Sequence, residues 1–586
     1  MNWDLKNLFE DLDSWKSEYD NVQKTIETLP SFQGKLGDFE TFKTYYKTQK
    51  DLAVKLHKLY QYASLKSDLN KKDVDNAARV QKMANLLNVY SQNTAFERPE
   101  ILALGKEKVF AFLDRDEGLK EYRFPLEKLF HQSEHILDKD KEALLANYSL
   151  LSSQGSELHS ALSTADNEAK DVTLKNGETI RVTQGNFRSH LAELQDKDDR
   201  ELVFKAVFDH YNQHKHTFAE IYNTILQADI AHMRSRSYNS SLESFLHGNK
   251  IDPIVYHNLI DVAKNSTDLL KRYYRIRKDY LNLDEHRTFD RFMPLAESSS
   301  KFSYDEAKDM FFKSIDHLEE DFKDKAYDAL KEGYVDVYEQ DGKRTGAYSS
   351  SALNEHPFIL LNYDDTLSDV FTVAHEAGHS MHSLFAKEHQ PVATQNYTIF
   401  VAEIASTFNE HLLLDHFIKN NKGTKEDKIQ LLQQSIDDIA GTFYRQTLFA
   451  AYELKAHEIA EKGEPITHEV LSNIMKDLYL SFYDIDISKE PGKSYVWAYI
   501  PHMFFAPFYV YQYATSFAAS LKLYELVKED PSNIEKHMTL LKAGGDNFPM
   551  AQVERAGLDL TDKNVFEAVA KRLENLLDEL ELALKA

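Results

Sequence analysis

His375-Glu376-Ala377-Gly378-His379 is the stretch of this chain whose residue types and spacing could do chemistry. On an α-helix, two His four residues apart lie one turn apart on one face and can grip a single metal ion. Glu376, turned about 100° from His375, flanks that ion and can act as the base for a water the metal activates. Chance alone can supply the pentapeptide, so its meaning rests on the surrounding sequence. A catalytic metal of this kind takes three protein ligands and leaves one position open. The 586 residues include no Cys, which excludes disulfide and thiolate chemistry and leaves His, Asp or Glu as ligands.

The element that must carry the motif is a helix from about Thr366 to Lys387. Val370, Val373, Ala377, Met381 and Leu384 share one face of it, and His375 and His379 lie on the opposite one. His382 also falls on the histidine face, but roughly 10 Å along the axis from His375, too far to share an ion. A place in a cleft or behind the ligands is expected for it. No Gly and third His follow in register over residues 380–386, so the third ligand must come from a later helix. The stretch from Tyr397 to Asn420 supplies one, with Val401, Ala405, Phe408 and Leu412 on its core face. Glu403, Thr407 and Glu410 lie on the other face, with Ser406 beside them. Glu403 is the expected third ligand, and Glu410 the expected hydrogen-bond partner of a ligating His.

Just before the motif, residues 342–349 and 357–363 read as short strands. A strand at Gly346, Ala347 and Tyr348 would offer a backbone edge to an extended peptide, while a small sheet that merely closes the core fits the same residues. After the second helix, residues 494–521 contain no Asp, Glu, Lys or Arg. Pro501, His502, Pro507, Gln512 and many Tyr make this a poor membrane span, and a buried aromatic wall is the expectation.

The rest of the chain frames these elements. Residues 1–150 read as successive amphipathic helices, such as that carrying Leu52, Leu56, Leu59 and Tyr60. Within them His131-Gln132-Ser133-Glu134-His135 matches an inverted zinc pattern, but no supporting motif surrounds it and an ordinary helix face is expected. Alternating apolar residues around Asn176-Gly177 predict a β-hairpin over 172–182. A boundary near 185 then gives an N-terminal helical domain, 1–185, and a catalytic domain, 186–586. Helices resume from about 190 to 330. With 19 Gly and 13 Pro, the composition favours a mainly α protein. The formal charge of −25 argues against a nucleic-acid partner. The first residues carry no apolar secretion segment. A cytoplasmic protein is expected, without a membrane partner, as a monomer or small homo-oligomer.

Several blocks in this order resemble oligoendopeptidase F, of the thimet-oligopeptidase-like zinc metallopeptidases. They are residues 342–349, 357–363, 369–382 and 400–410, Tyr444-Arg445-Gln446-Thr447, Ile500-Pro501-His502, and 508–515. The resemblance implies a largely helical, clam-like shell around a deep cleft, with one zinc per chain held by two His and one Glu. Motif by motif these fall on His375, His379 and Glu403, and the catalytic Glu falls on Glu376. The family's His near the reacting carbonyl matches His502. Its oxyanion-stabilising Tyr aligns best with Tyr511, with Tyr509 and Tyr513 as alternatives because Pro507 interrupts the helical phase. Ser516 departs from the Gly common after the Tyr-Ala-Thr run. The implied activity is endopeptidase cleavage of short, unstructured peptides. Two readings compete with it. A zinc exopeptidase on the same scaffold would need a cationic or amide-donor pocket for a substrate terminus, which the sequence does not clearly show. A non-catalytic helical peptide-binding module would leave the motif accidental.

Overall fold

The computed structural model describes residues 2–146, 149–297, 300–420 and 424–585. Its packing falls into two compact units, each built from three chain segments. The first comprises Met1–Glu134, Ser300–Asn420 and Ala519–Asp559; the second comprises His135–Ser299, Asn421–Ala518 and Leu560–Ala586. This grouping by shared core differs in kind from a division of the chain at residue 185. The architecture is mainly helical, as the composition implies.

In the first unit, long N-terminal helices close around a small sheet. Trp15, Phe42, Leu59 and Phe112 share one core with Phe358 and Leu360 from far along the chain. The Trp3 indole N–H donates to the Ile359 carbonyl at 2.7 Å, so even the polar end of this buried ring has a partner. Among the described residues five strands occur. β1 (Lys170–Thr173) and β2 (Thr179–Val182) form the expected antiparallel hairpin in the second unit, with Gly177 at φ +87° in its turn. β3 (Val335–Tyr338), β4 (Tyr348–Ser350) and β5 (Phe358–Tyr363) form the sheet of the first unit, with β5 central, parallel to β3 and antiparallel to β4. β5 is buried along nearly its whole length, which explains its continuous apolar run.

One strand expectation is corrected. Residues 342–347 form a turn, with Gly342 and Gly346 both at φ +83°, and extended structure begins only at Tyr348. The carbonyl of Gly346 already accepts a hydrogen bond from the Asn362 side chain at 2.7 Å. The His131–His135 stretch also differs from a continuous helix face: one helix ends at Gln132 and Ser133–His135 form a 3-10 turn.

The two site helices stand where periodicity placed them. α1 (Leu367–His389) begins at a capping box between Thr366 and Asp369, and Val370, Val373 and Ala377 on its inner face are fully buried. α2 (Ile399–Asn420) packs against it, burying Val401, Ala405 and Phe408. The core of the second unit is rich in fully buried aromatics, including Tyr222, Tyr256, Tyr273, Tyr452 and Trp497. Its aromatic segment breaks into short helices, Val496–Tyr499 and His502–Phe505, before the longer helix Tyr511–Glu529. Among the described residues no helix is long and apolar enough to cross a membrane.

Candidate metal centre

The approach of α1 to α2 builds the centre. Gly378 is the contact point: a Cβ there would lie 2.6 Å from the Ala405 carbonyl oxygen and 2.6 Å from the Ser406 Cα. Asn409, buried on α2, donates its amide to the Ala374 carbonyl at 3.1 Å and ties the helices together. With the backbones this close, His375 Nε2 and His379 Nε2 stand 3.6 and 3.7 Å from Glu403 Oε2. One ligand atom from each of the three residues falls within 4.8 Å of the others. A tetrahedral ion with bonds near 2.0–2.1 Å spans ligand separations of about 3.3–3.5 Å. The three groups therefore fit one metal ion with little adjustment.

Neighbouring side chains fix the orientation of these three groups. Glu410 Oε1 lies 2.7 Å from His375 Nδ1, an arrangement that keeps the proton on Nδ1 and leaves Nε2 free to bind metal. Ser406, fully buried, donates its hydroxyl to Glu403 Oε2 at 3.0 Å. His379 Nε2 is on the same side, and the Ala402 carbonyl accepts from its ring. Burial disfavours a charged imidazole at both positions. At His375 the Glu410 carboxylate, reinforced by Glu376 and Glu403, overcomes this and raises the pKa, and a bound metal ion would displace the second proton from Nε2. At His379 burial and the neighbouring His375 charge push it down.

Glu376 is 6% exposed, and burial raises its carboxyl to about 7, with Glu403 adding to the rise and His375 and the Ser349 backbone N–H opposing it. A carboxyl beside a metal position can take up a proton and pass it on. The Ser349 backbone brings β4 onto α1, and the Ser349 and Ser380 hydroxyls meet at 2.8 Å. A cavity of about 210 Å³ continues from the end of β4, lined by Ser351, Leu353, Glu355, Ser383, Lys387 and Tyr397 among others.

Sequence periodicity did not reveal Ser349, Ser380 or Tyr397. The Tyr397 hydroxyl meets Ser383 Oγ at 3.0 Å and donates to the His379 carbonyl at 3.3 Å. His382 stacks flat on the Tyr397 ring, with centroids 3.5 Å apart and planes inclined by 6°. Fully buried, His382 lines no open cleft, and the Tyr397 ring it stacks on bonds in turn to the His379 carbonyl. Gly378, inside the motif, could have been flagged as a point of close backbone approach; Tyr397 left no signal.

Comparison with known proteins gives this geometry its relatives. Residues 190–571 match the sequence model of peptidase family M3, and residues 100–168 that of Oligopeptidase F. The chain belongs to peptidase family M3. It is 35% identical to oligopeptidase PepF of Bacillus subtilis over 99% of this chain and 86% of that protein. A crystal structure of a putative peptidase from Chlamydophila abortus superposes with TM-score 0.91 at 33% identity, covering 99% of this chain and 98% of that one. Oligoendopeptidase-F from Enterococcus faecium superposes with TM-score 0.75 at 26% identity, covering 98% and 99%. This M3 chain is thus a metallopeptidase.

The remaining expected site residues of the M3 peptidase lie in the second unit. His502 stacks on Tyr509 (5.8 Å, 10°), and Tyr513 stands edge-on to both, 5.6 Å from Tyr509 and 6.3 Å from His502. Tyr511 is not in this group. It is 3% exposed and packs on Tyr256 at 5.0 Å, and burial pushes its phenol up. Tyr511, the Tyr that the resemblance aligned best, thus packs apart from the rings gathered around His502. The cause is the turn after Pro507, where Phe508 takes φ +53° and resets the helical phase.

Proposed function

We propose that this M3 peptidase is a zinc endopeptidase that cleaves internal bonds of short, unstructured peptides, with one zinc held by His375, His379 and Glu403. The convergence of those three ligand atoms, with Glu376 adjoining them, carries the reading. Residues 186–586 form the catalytic domain, preceded by the N-terminal helical domain 1–185; the family match over 190–571 supports this. Zinc in such a site would acidify a water and polarise the scissile carbonyl. Glu376 takes a proton from the attacking water and delivers it to the leaving amine. Glu410 fixes the His375 tautomer and Ser406 orients the Glu403 carboxylate. The donor role that the family resemblance attaches to His502 and a Tyr is assigned to His502 with Tyr509 and Tyr513, because Tyr511 is buried against Tyr256. One such donor is worth about 3 kcal/mol, or a hundredfold in rate. The edge of β4 from Tyr348 onward offers backbone groups to an extended substrate, which gives loose sequence preference.

The test is metal analysis of protein purified without added zinc, followed by digestion of a peptide blocked at both ends. About one zinc per chain and internal cleavage abolished by a chelator are expected. Refusal of the blocked peptide with cleavage of free-ended ones would overturn endopeptidase action in favour of an exopeptidase. Absence of metal with no rescue by zinc would leave only a binding module.

A further inference from the structure

In the second unit, Arg188, Arg291, Arg445 and Lys493 arrive from four separate elements: helix Phe187–Glu193, the 3-10 turn Asp290–Phe292, helix Arg445–Glu461 and the 3-10 turn Lys493–Tyr495. Aromatic residues flank three of them, Lys493, Arg291 and Arg188. The Lys493 ammonium lies 5.1, 5.3 and 5.6 Å from the ring centroids of Phe208, Tyr479 and Phe204. The Arg291 guanidinium covers Phe292 at 4.5 Å, and Arg188 donates to the Tyr499 hydroxyl at 3.4 Å.

The missing partner is a carboxylate. Other buried cations of this chain, which carries a formal charge of −25, have oxygen partners: Arg200 meets Asp290 at 2.8 Å, Lys343 meets Asp336 at 2.6 Å, and Arg277 donates to backbone carbonyls. Among the described residues, by contrast, no carboxylate lies within ion-pair distance of Arg188, Arg291 or Arg445, and neither Arg291 nor Arg445 donates a side-chain hydrogen bond. The nearby acids are engaged elsewhere. Glu490 takes the Thr288 N–H at 2.8 Å and the Thr288 hydroxyl, and Asp437 takes the Tyr273 hydroxyl at 2.8 Å.

The four cations feel one another. Burial and the Arg291 and Arg188 charges depress the Arg445 guanidinium to about 10. Burial, then Arg291, Arg445 and Arg188, depress the Lys493 ammonium despite Glu490. Like charges gathered in a partly dry place are unfavourable unless something negative joins them. Lys493 is buried, Arg291 and Arg445 are half-buried and Arg188 is exposed, so a solute can reach the group.

We propose that Arg188, Arg291, Arg445 and Lys493 form an oxyanion-binding site, and that the anion it receives is a carboxylate of the peptide substrate. The planar guanidinium forks match a carboxylate or another oxyanion, and the surrounding rings would flank the peptide stem behind it. The assignment to substrate rests on the peptidase reading above. The anion site itself does not.

Two measurements separate these. Thermal unfolding is followed in sodium sulfate and in sodium chloride at equal ionic strength, for the wild type, Arg445→Gln and Arg291→Gln. Sulfate is expected to raise the midpoint of the wild type more than chloride does, and the difference should vanish in the variants. Arg188→Gln, at an exposed position, serves as the second variant should the half-buried ones fail to fold. In parallel, kcat and KM are measured on peptide pairs differing only by a free or amidated C terminus, or by Glu or Gln. The wild type should favour the acid by about tenfold, expressed in KM, the scale of one charge-assisted hydrogen bond. In the variants the acid-to-amide ratio should fall to about one. Sulfate stabilisation without any acid preference would keep the anion site and overturn the substrate assignment in favour of a free oxyanion. No sulfate effect and no acid preference would overturn both. Were the protein to cleave no peptide at all, the peptidase reading would fail, and the sulfate comparison would still judge the cluster.

Discussion

Gly378→Ala tests whether backbone contact between α1 and α2 sets the metal geometry. The added Cβ would sit 2.6 Å from the Ala405 oxygen, 2.6 Å from the Ser406 Cα and 2.9 Å from the Ala405 carbon, against 3.4 Å for ordinary contact. The shortfall is about 0.8 Å, and every atom it meets is backbone, so no rotamer change relieves it. α2 must retreat, carrying Glu403 and its Ser406 clamp. The separation of His375 Nε2 from Glu403 Oε2 would grow from 3.6 Å toward about 4.4 Å. A tetrahedral ion tolerates ligand distances only within about 0.2 Å. The variant should therefore bind zinc about 10- to 100-fold more weakly, the loss seen when a ligand's support is removed. Its zinc-free form should lose about 1–3 kcal/mol of stability to overpacking. Competition titration against a chromophoric chelator measures the first, and denaturant unfolding of zinc-free protein the second. Zinc affinity within twofold of wild type, with unchanged stability, would refute the argument that this contact fixes the ligand spacing.

The same geometry sets three further outcomes. Glu376→Gln keeps all three proposed ligands and should retain zinc while losing about 10²- to 10⁴-fold in kcat; near-normal turnover would remove Glu376 as the base. Glu410→Ala deletes the 2.7 Å partner of His375 Nδ1 and should weaken zinc binding about 10- to 100-fold, read by the same titration. Glu453, fully buried, accepts the Phe508 N–H at 3.1 Å, and burial, with Asp229 adding, raises its carboxyl to about 8. The folded chain thus keeps a proton that the unfolded chain releases near pH 4.5, so this group lowers stability as pH rises from about 4.5 to 8. The slope is on the order of 1 kcal/mol per pH unit. Glu453→Gln should flatten it, and urea unfolding at several pH values in both proteins would reveal parallel profiles if the reasoning is wrong.

The carboxylate subsite bears on the choice between endo- and exopeptidase. An exopeptidase needs a cationic pocket for a substrate terminus, and the sequence scattered its residues over positions 188, 291, 445 and 493. An acid preference at internal Glu as well as at free C termini would fit an endopeptidase with an anionic subsite. Preference for the terminus alone would move the balance to exopeptidase action.

The sequence by itself determined the elements and the residue types of the centre. Periodicity and the Thr366 cap located α1 because apolar faces and first-turn hydrogen bonds are local properties of the chain. Glu403 and Glu410 were legible for the same reason, as carboxylates on the face of α2 opposite its core residues. Distances were not legible. The 3.6 Å approach of His375 to Glu403 depends on Gly378 meeting the Ala405 backbone, a contact between two helices that no single periodicity contains. Ser349 and Tyr397 reach the centre from a strand and a loop, and only packing shows them there. The placement of the phenols turned on one residue. Phe508 at φ +53° rotates the segment after it, so that Tyr509 and Tyr513 join His502 and Tyr511 goes to the core. A bulky residue takes that conformation only when its surroundings impose it, here with Glu453 holding its N–H. Tertiary structure decided that phase, because the forces that set it come from helices remote in the chain.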